Sequence, residues 1–199
     1  MKEKVLAGFA IFIMVTGFVS FNYVLITENK KAEFWRWVKM SINLERKNYI
    51  HAEAKINDLD PDLIRAIIWV ESQGDSKAKS PTGCRGISQI NRGNAIHFGH
   101  NHDDMHDDEK ALQVMARLLK ESRDYYHSNN KIKKQESLLS WMLREYNVGR
   151  GVARQNFLAA KSYAVLVNSV YEAIKKGTFQ IVKNGKAHKI NLAKINGEA

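Results

Sequence analysis

The chain has 199 residues, a length that suits one domain with additional segments. Hydrophobic residues make up 44% of it and charged residues 26%, a globular composition that excludes a mainly disordered chain. The formal net charge is +10, so polyanions are the expected partners. Because neither a zinc-finger spacing nor an RNA-binding aromatic motif occurs, nucleic acid is not predicted among them.

The first segment of the chain is predicted to be a membrane element. Residues 5–26 carry no charged side chain, and their length is close to the ~20 apolar residues that span a bilayer. A cleaved signal peptide would have a shorter apolar core. We therefore predict a transmembrane signal anchor over 5–26 and a juxtamembrane connector over 27–44. Trp35 and Trp37 beside lysines are typical of a membrane boundary, although an amphipathic helix packed on the domain is an alternative.

The stretch from residue 45 to 177 has the apolar periodicity of successive helices. Asp60-Pro61-Asp62 has the cap, first-turn proline and acidic residue that begin a helix. The predicted helices are 49–57, 62–73, one starting near Gly86, 109–127, 135–147 and 152–176, with a polar loop over 91–108.

The last segment, 178–199, is predicted to be a basic tail that contains a β-hairpin. Asn184-Gly185 favours a two-residue type I′ turn, which would place Phe179 opposite Ile190. Isolated hairpins are marginally stable, so this one is expected to lean on the helical body.

Glu71 stands out in the predicted helix 62–73. The helical period places it in the middle of an apolar stripe formed by Leu63, Ile64, Ile67 and Ile68. Burial and the negative end of the helix both disfavour an ionised carboxylate and raise its pKa. A raised pKa is what a general acid near neutral pH requires. The alternative is that Glu71 reaches the surface or pairs with a buried arginine.

Four short blocks follow one another from Glu71 onward. They are Glu71-Ser72, Ser80-Pro81, Gly86-Ile87-Ser88-Gln89 and Tyr146-Asn147-Val148-Gly149. This series resembles the catalytic domain of the lytic transglycosylases, which has a goose-type-lysozyme-like fold. The resemblance covers about residues 45 to 176. It implies a mainly α, lysozyme-like catalytic domain over 45–177.

The resemblance also implies a reaction in which Glu71 is the single acid/base. Its protonated carboxyl would donate to the oxygen of the β-1,4 bond between N-acetylmuramic acid and N-acetylglucosamine. The carboxylate would then remove a proton from the sugar's 6-hydroxyl, which closes to 1,6-anhydro-N-acetylmuramic acid. No cofactor is implied. By matched position, the implied substrate-binding residues are Ser80, Gln89, Tyr146 and Asn147, and Tyr163 is a further candidate for the cleft.

Three positions depart from the family pattern. Ser88 stands where methionine is common, Glu145 where a small residue precedes the tyrosine, and Cys84 where a small residue is usual. These changes affect the shape of the sugar groove more than the chemistry. As the only cysteine, Cys84 cannot form an internal disulfide and is expected to be buried.

A loop rich in histidine and aspartate gives two alternatives to weigh. His97, His100, His102 and His106 alternate with aspartates, as metal ligands can, but no helical HExxH spacing supports a metal site, and none is predicted. We expect a solvated loop whose aspartates cap the helix near Glu109. A hydrolase would need a second carboxylate, for which the candidates are Asp75, Asp103, Asp104 and Glu145.

The predicted function is that of a membrane-anchored lytic transglycosylase acting on peptidoglycan. A goose-type-lysozyme-like hydrolase and a non-catalytic peptidoglycan-binding assembly module are the alternatives. Small anchored members of the family open the wall for a larger assembly, such as a secretion or conjugation apparatus, a pilus or a phage particle. The predicted location is the inner (cytoplasmic) membrane, single-pass, with the catalytic domain on the periplasmic side. The basic flank after residue 26 conflicts with this orientation.

Overall fold

The computed structural model describes residues 44–176, 178–183 and 186–191, and this part of the chain is mainly helical, as predicted. The helices are α1 (Leu44–Asn57), α2 (Pro61–Ser72), α3 (Arg92–His97), a 3-10 helix (His102–His106), α4 (Asp108–Ser128), α5 (Asn130–Lys133), α6 (Leu138–Gln155) and α7 (Lys161–Lys175). The strands β1 (Thr178–Lys183) and β2 (Lys186–Asn191) pair antiparallel, with Phe179 opposite Ile190.

The predicted anchor over 5–26 and all but the last residue of the connector lie outside the described residues. Within the described ranges, no helix combines the length and the apolar character needed to cross a bilayer.

Helix α2 begins and ends as its sequence predicts. The Asp60 side chain accepts a hydrogen bond from the Asp62 backbone N–H at 2.8 Å, which caps the helix. At the other end, Gln73 adopts a left-handed conformation with φ 55°, and its N–H bonds the Trp69 carbonyl. The predicted helix 62–73 is therefore confirmed to within one residue at each end.

The core lies between helices that pack against one another in pairs, with α2 and α4 among them. Helix α2 packs on α7, α7 on α6, α6 on α4, and α4 on α1. The α2 stripe faces this core, since Ile64 and Ile67 are fully buried and Leu63 nearly so. Each such side chain contributes about 1.5–3 kcal/mol when removed from water. The apolar stripe consequently fixes the rotation of α2 and, with it, the direction of Glu71.

The prediction of a helix starting near Gly86 is wrong. Residues 79–90 instead form a folded-back turn, with antiparallel bridges joining Arg85 to Lys79 and to Ile90. Gly86 has φ +75°, and a Cβ there would lie 1.6 Å from the carbonyl oxygen of Met105. Only glycine permits both this conformation and this close approach. The turn is thereby held against the 3-10 helix.

The loop predicted over 91–108 contains two short helices. The Asn91 side chain caps α3 through the Asn94 N–H at 2.8 Å. The 3-10 helix follows Asn101, which forms a capping box with Asp104. Both helices depend on such caps, and both are too short to show an apolar period. The expectation that an aspartate caps the next helix is confirmed, because Asp107 accepts a hydrogen bond from the Lys110 N–H at 3.0 Å.

Helix α6 is interrupted two residues after Asn147. Gly149 has φ 78° and ψ 156°, a region that is essentially closed to residues with a Cβ. The predicted helices 135–147 and 152–176 thus have different bounds in the structure, where α6 continues to Gln155 beyond this break and α7 begins only at Lys161.

We expect Gly149→Ala to lower the free energy of unfolding by about 1–3 kcal/mol, because a Cβ strains this backbone conformation although the space around it is open. Gly151→Ala is the matched control. Gly151 also has open space but no positive φ, so alanine there should be neutral or stabilising by up to about 1 kcal/mol. Urea denaturation of the two variants makes the comparison, and equal effects would contradict the role given to Gly149.

Candidate active site

Glu71 lies in the last turn of α2 with its side chain half-buried. Its Oε1 accepts a hydrogen bond from the Tyr163 hydroxyl at 2.5 Å. Burial raises the pKa of Glu71 from 4.5 to about 7, against the opposing effect of this hydrogen bond. The carboxyl can therefore exist in both the protonated and the ionised form near neutral pH.

Two tyrosines from different helices approach Glu71. Tyr163 comes from α7, and Tyr146 comes from α6 just before the Gly149 break. Burial and the Glu71 charge raise the pKa of each tyrosine well above its ordinary value, so both hydroxyls keep their protons. Tyr146 donates its hydrogen bond to the Ser88 carbonyl at 2.6 Å. The site therefore joins α2, α6, α7 and the Gly86 turn.

Ser72 connects the catalytic helix to that turn. Its hydroxyl donates to the Ile87 carbonyl at 2.8 Å and accepts from the Gly74 N–H at 3.1 Å. Gln89 has φ 48°, and its side-chain amide donates back to the Gly86 carbonyl at 3.0 Å. The serine that follows Glu71 and the glutamine of the turn thus both stabilise the local backbone.

Ser80 and Cys84 are joined by hydrogen bonds in a small loop. The Ser80 hydroxyl accepts from the Cys84 N–H at 3.0 Å and shares a 2.9 Å hydrogen bond with Thr82. Cys84 is half-buried instead of fully buried, and it lies close enough to Tyr146 to interact with it electrostatically. Asn147, one position after Tyr146, is exposed. The structure thus places the Ser80 loop near Tyr146, whereas the Asn147 side chain reaches solvent.

The four candidates for a second carboxylate have other partners. Glu145 accepts from Ser122 at 2.9 Å and from Arg150 at 2.7 Å. Asp103 pairs with Arg85. Asp104 pairs with Lys110, and Asp75 accepts from the Lys77 N–H. Burial and the Tyr163 hydrogen bond account for the shifted pKa of Glu71, and no carboxylate of the described residues contributes to it.

Three of the four histidines in the polar loop make structural contacts. A ring nitrogen of His102 lies 3.0 Å from the Ile90 carbonyl, and one of His106 lies 2.8 Å from the Ser76 carbonyl. His97 lies 3.2 Å from Glu121. Within residues 44–176 and the two strands, no three metal-ligating side chains converge. The His102 and His106 contacts tie the loop to the segments at the two ends of the Gly86 turn, and the His97 contact ties α3 to α4.

Arg144 is a structurally important residue that sequence reasoning missed. Its side chain is buried in α6 and forms an ion pair with the buried Glu136. It also donates to the carbonyls of Ala153, Asn156 and Ala159 at 2.6–2.9 Å. These carbonyls belong to the end of α6 and the connection to α7, the helix that carries Tyr163. The sequence feature that points to its burial is its position directly after the apolar run 141–143.

Residues 48–175 match the family model described as the transglycosylase SLT domain. The chain belongs to this family. All four motif blocks lie inside the matched range. The resemblance found in the sequence is therefore confirmed at the level of the SLT family.

Two curated relatives with the name lytic transglycosylase are similar to this chain. It is 32% identical over 106 residues to membrane-bound lytic murein transglycosylase F 2 of Alkalilimnicola ehrlichii, covering 53% of this chain and 22% of that protein. It is 34% identical over 97 residues to membrane-bound lytic murein transglycosylase F of Cronobacter sakazakii, covering 49% of this chain and 18% of that protein. The aligned region thus spans about a fifth of each relative's length.

The raised pKa of Glu71 predicts a pH-dependent effect of Glu71→Gln on stability. The folded state holds the carboxyl proton more tightly than the unfolded chain, so ionisation destabilises the fold progressively between pH 4.5 and about 7. Glutamine cannot ionise. The variant should therefore gain stability relative to the unsubstituted protein as pH rises through this window, with no further gain above about 7.

Urea denaturation at several pH values between 4 and 9 measures this difference. Glu109→Gln, at an exposed position of α4, is the control and should show no comparable trend. A stability difference for Glu71→Gln that is constant across the whole range would show that burial does not raise the pKa of Glu71.

Proposed function

We propose that this protein is a peptidoglycan lytic transglycosylase with Glu71 as its only catalytic acid/base. It cleaves the β-1,4 bond between N-acetylmuramic acid and N-acetylglucosamine and leaves a 1,6-anhydro-N-acetylmuramic acid end. The observation that carries the proposal is a half-buried glutamate inside the matched domain, whose pKa burial raises to about 7 and whose carboxylate accepts the Tyr163 hydrogen bond.

One carboxyl suffices because its two roles alternate. Protonated Glu71 donates its proton to the glycosidic oxygen as the bond to the anomeric carbon breaks. The resulting carboxylate takes the proton of the 6-hydroxyl as that oxygen attacks the anomeric carbon. This second step returns Glu71 to its protonated form. A pKa near the working pH makes both transfers accessible, and the nucleophile gains from already being part of the sugar.

The neighbouring residues have positioning roles in this proposal. The Tyr163 hydroxyl fixes the direction of the Glu71 carboxyl and favours its ionised form through a charge-assisted hydrogen bond. Tyr146 holds the Gly86 turn against the site through the Ser88 carbonyl. Ser80, Gln89 and Asn147 are assigned to the sugar groove by their matched positions, and Asn147 has the exposed side chain that direct sugar contact requires.

We also propose that the chain is a single-pass inner-membrane protein with its catalytic domain on the periplasmic side. The apolar stretch 5–26 is the anchor, 27–44 the connector, 45–177 the catalytic domain and 178–199 the basic tail. The words "membrane-bound" in the names of both relatives are in keeping with an anchor. Tethering would confine wall cleavage to the place where a larger assembly crosses the wall.

The mass of the products tests the reaction. The full-length protein is incubated with purified peptidoglycan sacculi, and the released muropeptides are analysed by mass spectrometry. Muramic ends lighter by one water are expected. Ordinary reducing ends would replace the proposal by hydrolysis and require a second carboxylate. The absence of cleavage, with binding retained, would favour the non-catalytic module.

Tyr163→Phe tests the hydrogen bond to Glu71. This bond lowers the pKa of Glu71, so its loss should raise that pKa further. Since the first step needs the protonated acid, the alkaline limb of the pH–rate profile should move to higher pH, with a lower maximal rate. Tyr171→Phe is the control on the same helix, because that hydroxyl bonds Asp60 instead. A profile that falls in height without moving would contradict this role.

A further inference from the structure

A second concave surface lies between the end of α4, α5 and the second half of α6. It encloses about 330 Å³, with Ile132, Trp141 and Phe157 among its apolar lining residues. Gln135 and Gln155 supply side-chain amides. Neither Glu71 nor any residue of the four motif blocks lines it. This cavity is therefore a different site from the one that holds the catalytic carboxyl.

The rim of the cavity is positively charged. Lys131 and Arg154 line it, and neither has a carboxylate partner within the described part of the chain. The lining acid Glu136 is neutralised by its buried ion pair with Arg144. Lys134, exposed directly after α5, adds a further cation nearby. The electrostatics of the cavity consequently favour an anionic ligand.

Three exposed apolar residues either line the cavity or neighbour its lining residues in the chain. Phe157 is 43% exposed, Leu158 70% and Val152 49%. Exposed apolar side chains next to a cavity are typical of an interaction surface. Aromatic and arginine side chains are also the residues that most often dominate protein–protein affinity. The surface therefore combines apolar contact area with positive charge that no described carboxylate neutralises.

We propose that this cavity binds an acidic peptide segment of a partner protein. An apolar side chain of the segment packs against Ile132 and Phe157, and its flanking carboxylates pair with Lys131 and Arg154. The amides of Gln135 and Gln155 can hydrogen-bond an extended main chain. A concave lining with amide groups suits a peptide better than a bilayer, because a peptide main chain offers hydrogen-bonding groups that acyl chains lack.

Calorimetric titration of the full-length protein tests the proposal. The probe is a five-residue, end-blocked peptide with a central leucine and two glutamates on each side, compared with the same peptide carrying glutamines. The glutamate peptide should bind, and the glutamine peptide should bind at least about tenfold more weakly. The double variant Lys131→Glu/Arg154→Glu should reduce binding of the glutamate peptide by a similar factor.

The control Lys47→Glu/Lys55→Glu makes the same charge change at exposed positions of α1 and should retain binding. Equal loss in both double variants, or equal binding of both peptides, would overturn the proposal. So would binding to anionic lipid vesicles, lost in the Lys131/Arg154 variant, without binding to the peptide.

Two further measurements distinguish failure of this proposal from misfolding of a variant and from failure of the proposed catalytic function. The indole N–H resonance of Trp141, which lines the cavity, should shift when the peptide is added to the unsubstituted protein. This measurement does not depend on the folding of any variant. Peptidoglycan cleavage should be unchanged in Lys131→Glu/Arg154→Glu, so failure of the proposed catalytic function leaves this inference independently testable. An unmoved Trp141 resonance at saturating peptide would overturn it.

Discussion

Glu71→Gln is expected to reduce peptidoglycan cleavage by about a thousandfold or more. Glutamine keeps the size of the side chain and can still accept the Tyr163 hydrogen bond, but it can neither donate an acidic proton nor take one back. General acid–base groups typically contribute about 10²–10⁴-fold to a rate. Here one group would perform both transfers, so its loss removes both contributions. Release of soluble muropeptides from sacculi measures the effect.

Glu145→Gln is the matched control for this substitution. Glu145 is also a partly buried glutamate whose pKa is raised by burial, yet its hydrogen bonds go to Ser122 and Arg150. It should retain activity within a few-fold. If Glu145→Gln were as inactive as Glu71→Gln while remaining folded, a two-carboxylate mechanism would replace the single acid/base. If Glu71→Gln kept its activity, Glu71 would have no catalytic role.

The position of Glu71 could be predicted because it depends on a local pattern. The spacing of four apolar residues fixes the rotation of α2, and the Asp60 cap and Pro61 fix where the helix begins. The start and the rotation of such a helix can be predicted without knowing which distant residues it contacts. The same holds for α4, whose cap Asp107 stands directly before its first turn.

The partners of Glu71 could not be derived in this way. The Tyr163 hydrogen bond joins residues 92 positions apart, and the spacing along the chain does not encode such a contact. The Gly86 turn does not follow from local sequence, because its conformation depends on the Met105 carbonyl, which lies almost 20 residues later in the chain. Family resemblance named Tyr146, whereas its hydrogen bond to Ser88 emerged only from the packing of α6.

Loss of the buried Arg144 guanidinium is expected to have a large effect on the stability of the fold. Arg144→Met should lower the free energy of unfolding by about 3–5 kcal/mol, because it leaves the Glu136 carboxylate, 4% exposed, without its counter-ion. It also leaves the carbonyls of Ala153, Asn156 and Ala159 without the arginine donor. Arg150→Met is the control and should cost less, since that arginine is 38% exposed and its partner Glu145 keeps the Ser122 hydrogen bond. Urea denaturation compares the two.

A double substitution separates the ion pair from the carbonyls. Arg144→Met/Glu136→Met removes both charges, and a buried ion pair replaced by apolar side chains is often close to neutral in stability. If the ion pair alone mattered, the double variant should recover nearly all of the lost stability. We expect only partial recovery, because the three carbonyls at the end of α6 and in the connection to α7 still lack their donor. Full recovery would mean that Arg144 serves Glu136 only, and a loss below about 1 kcal/mol in the single variant would contradict its structural role. In the double variant the start of α7 should be less firmly held, so the Tyr163 hydroxyl would bond Glu71 less often. The alkaline limb of the pH–rate profile for peptidoglycan cleavage should then shift to higher pH, as in Tyr163→Phe.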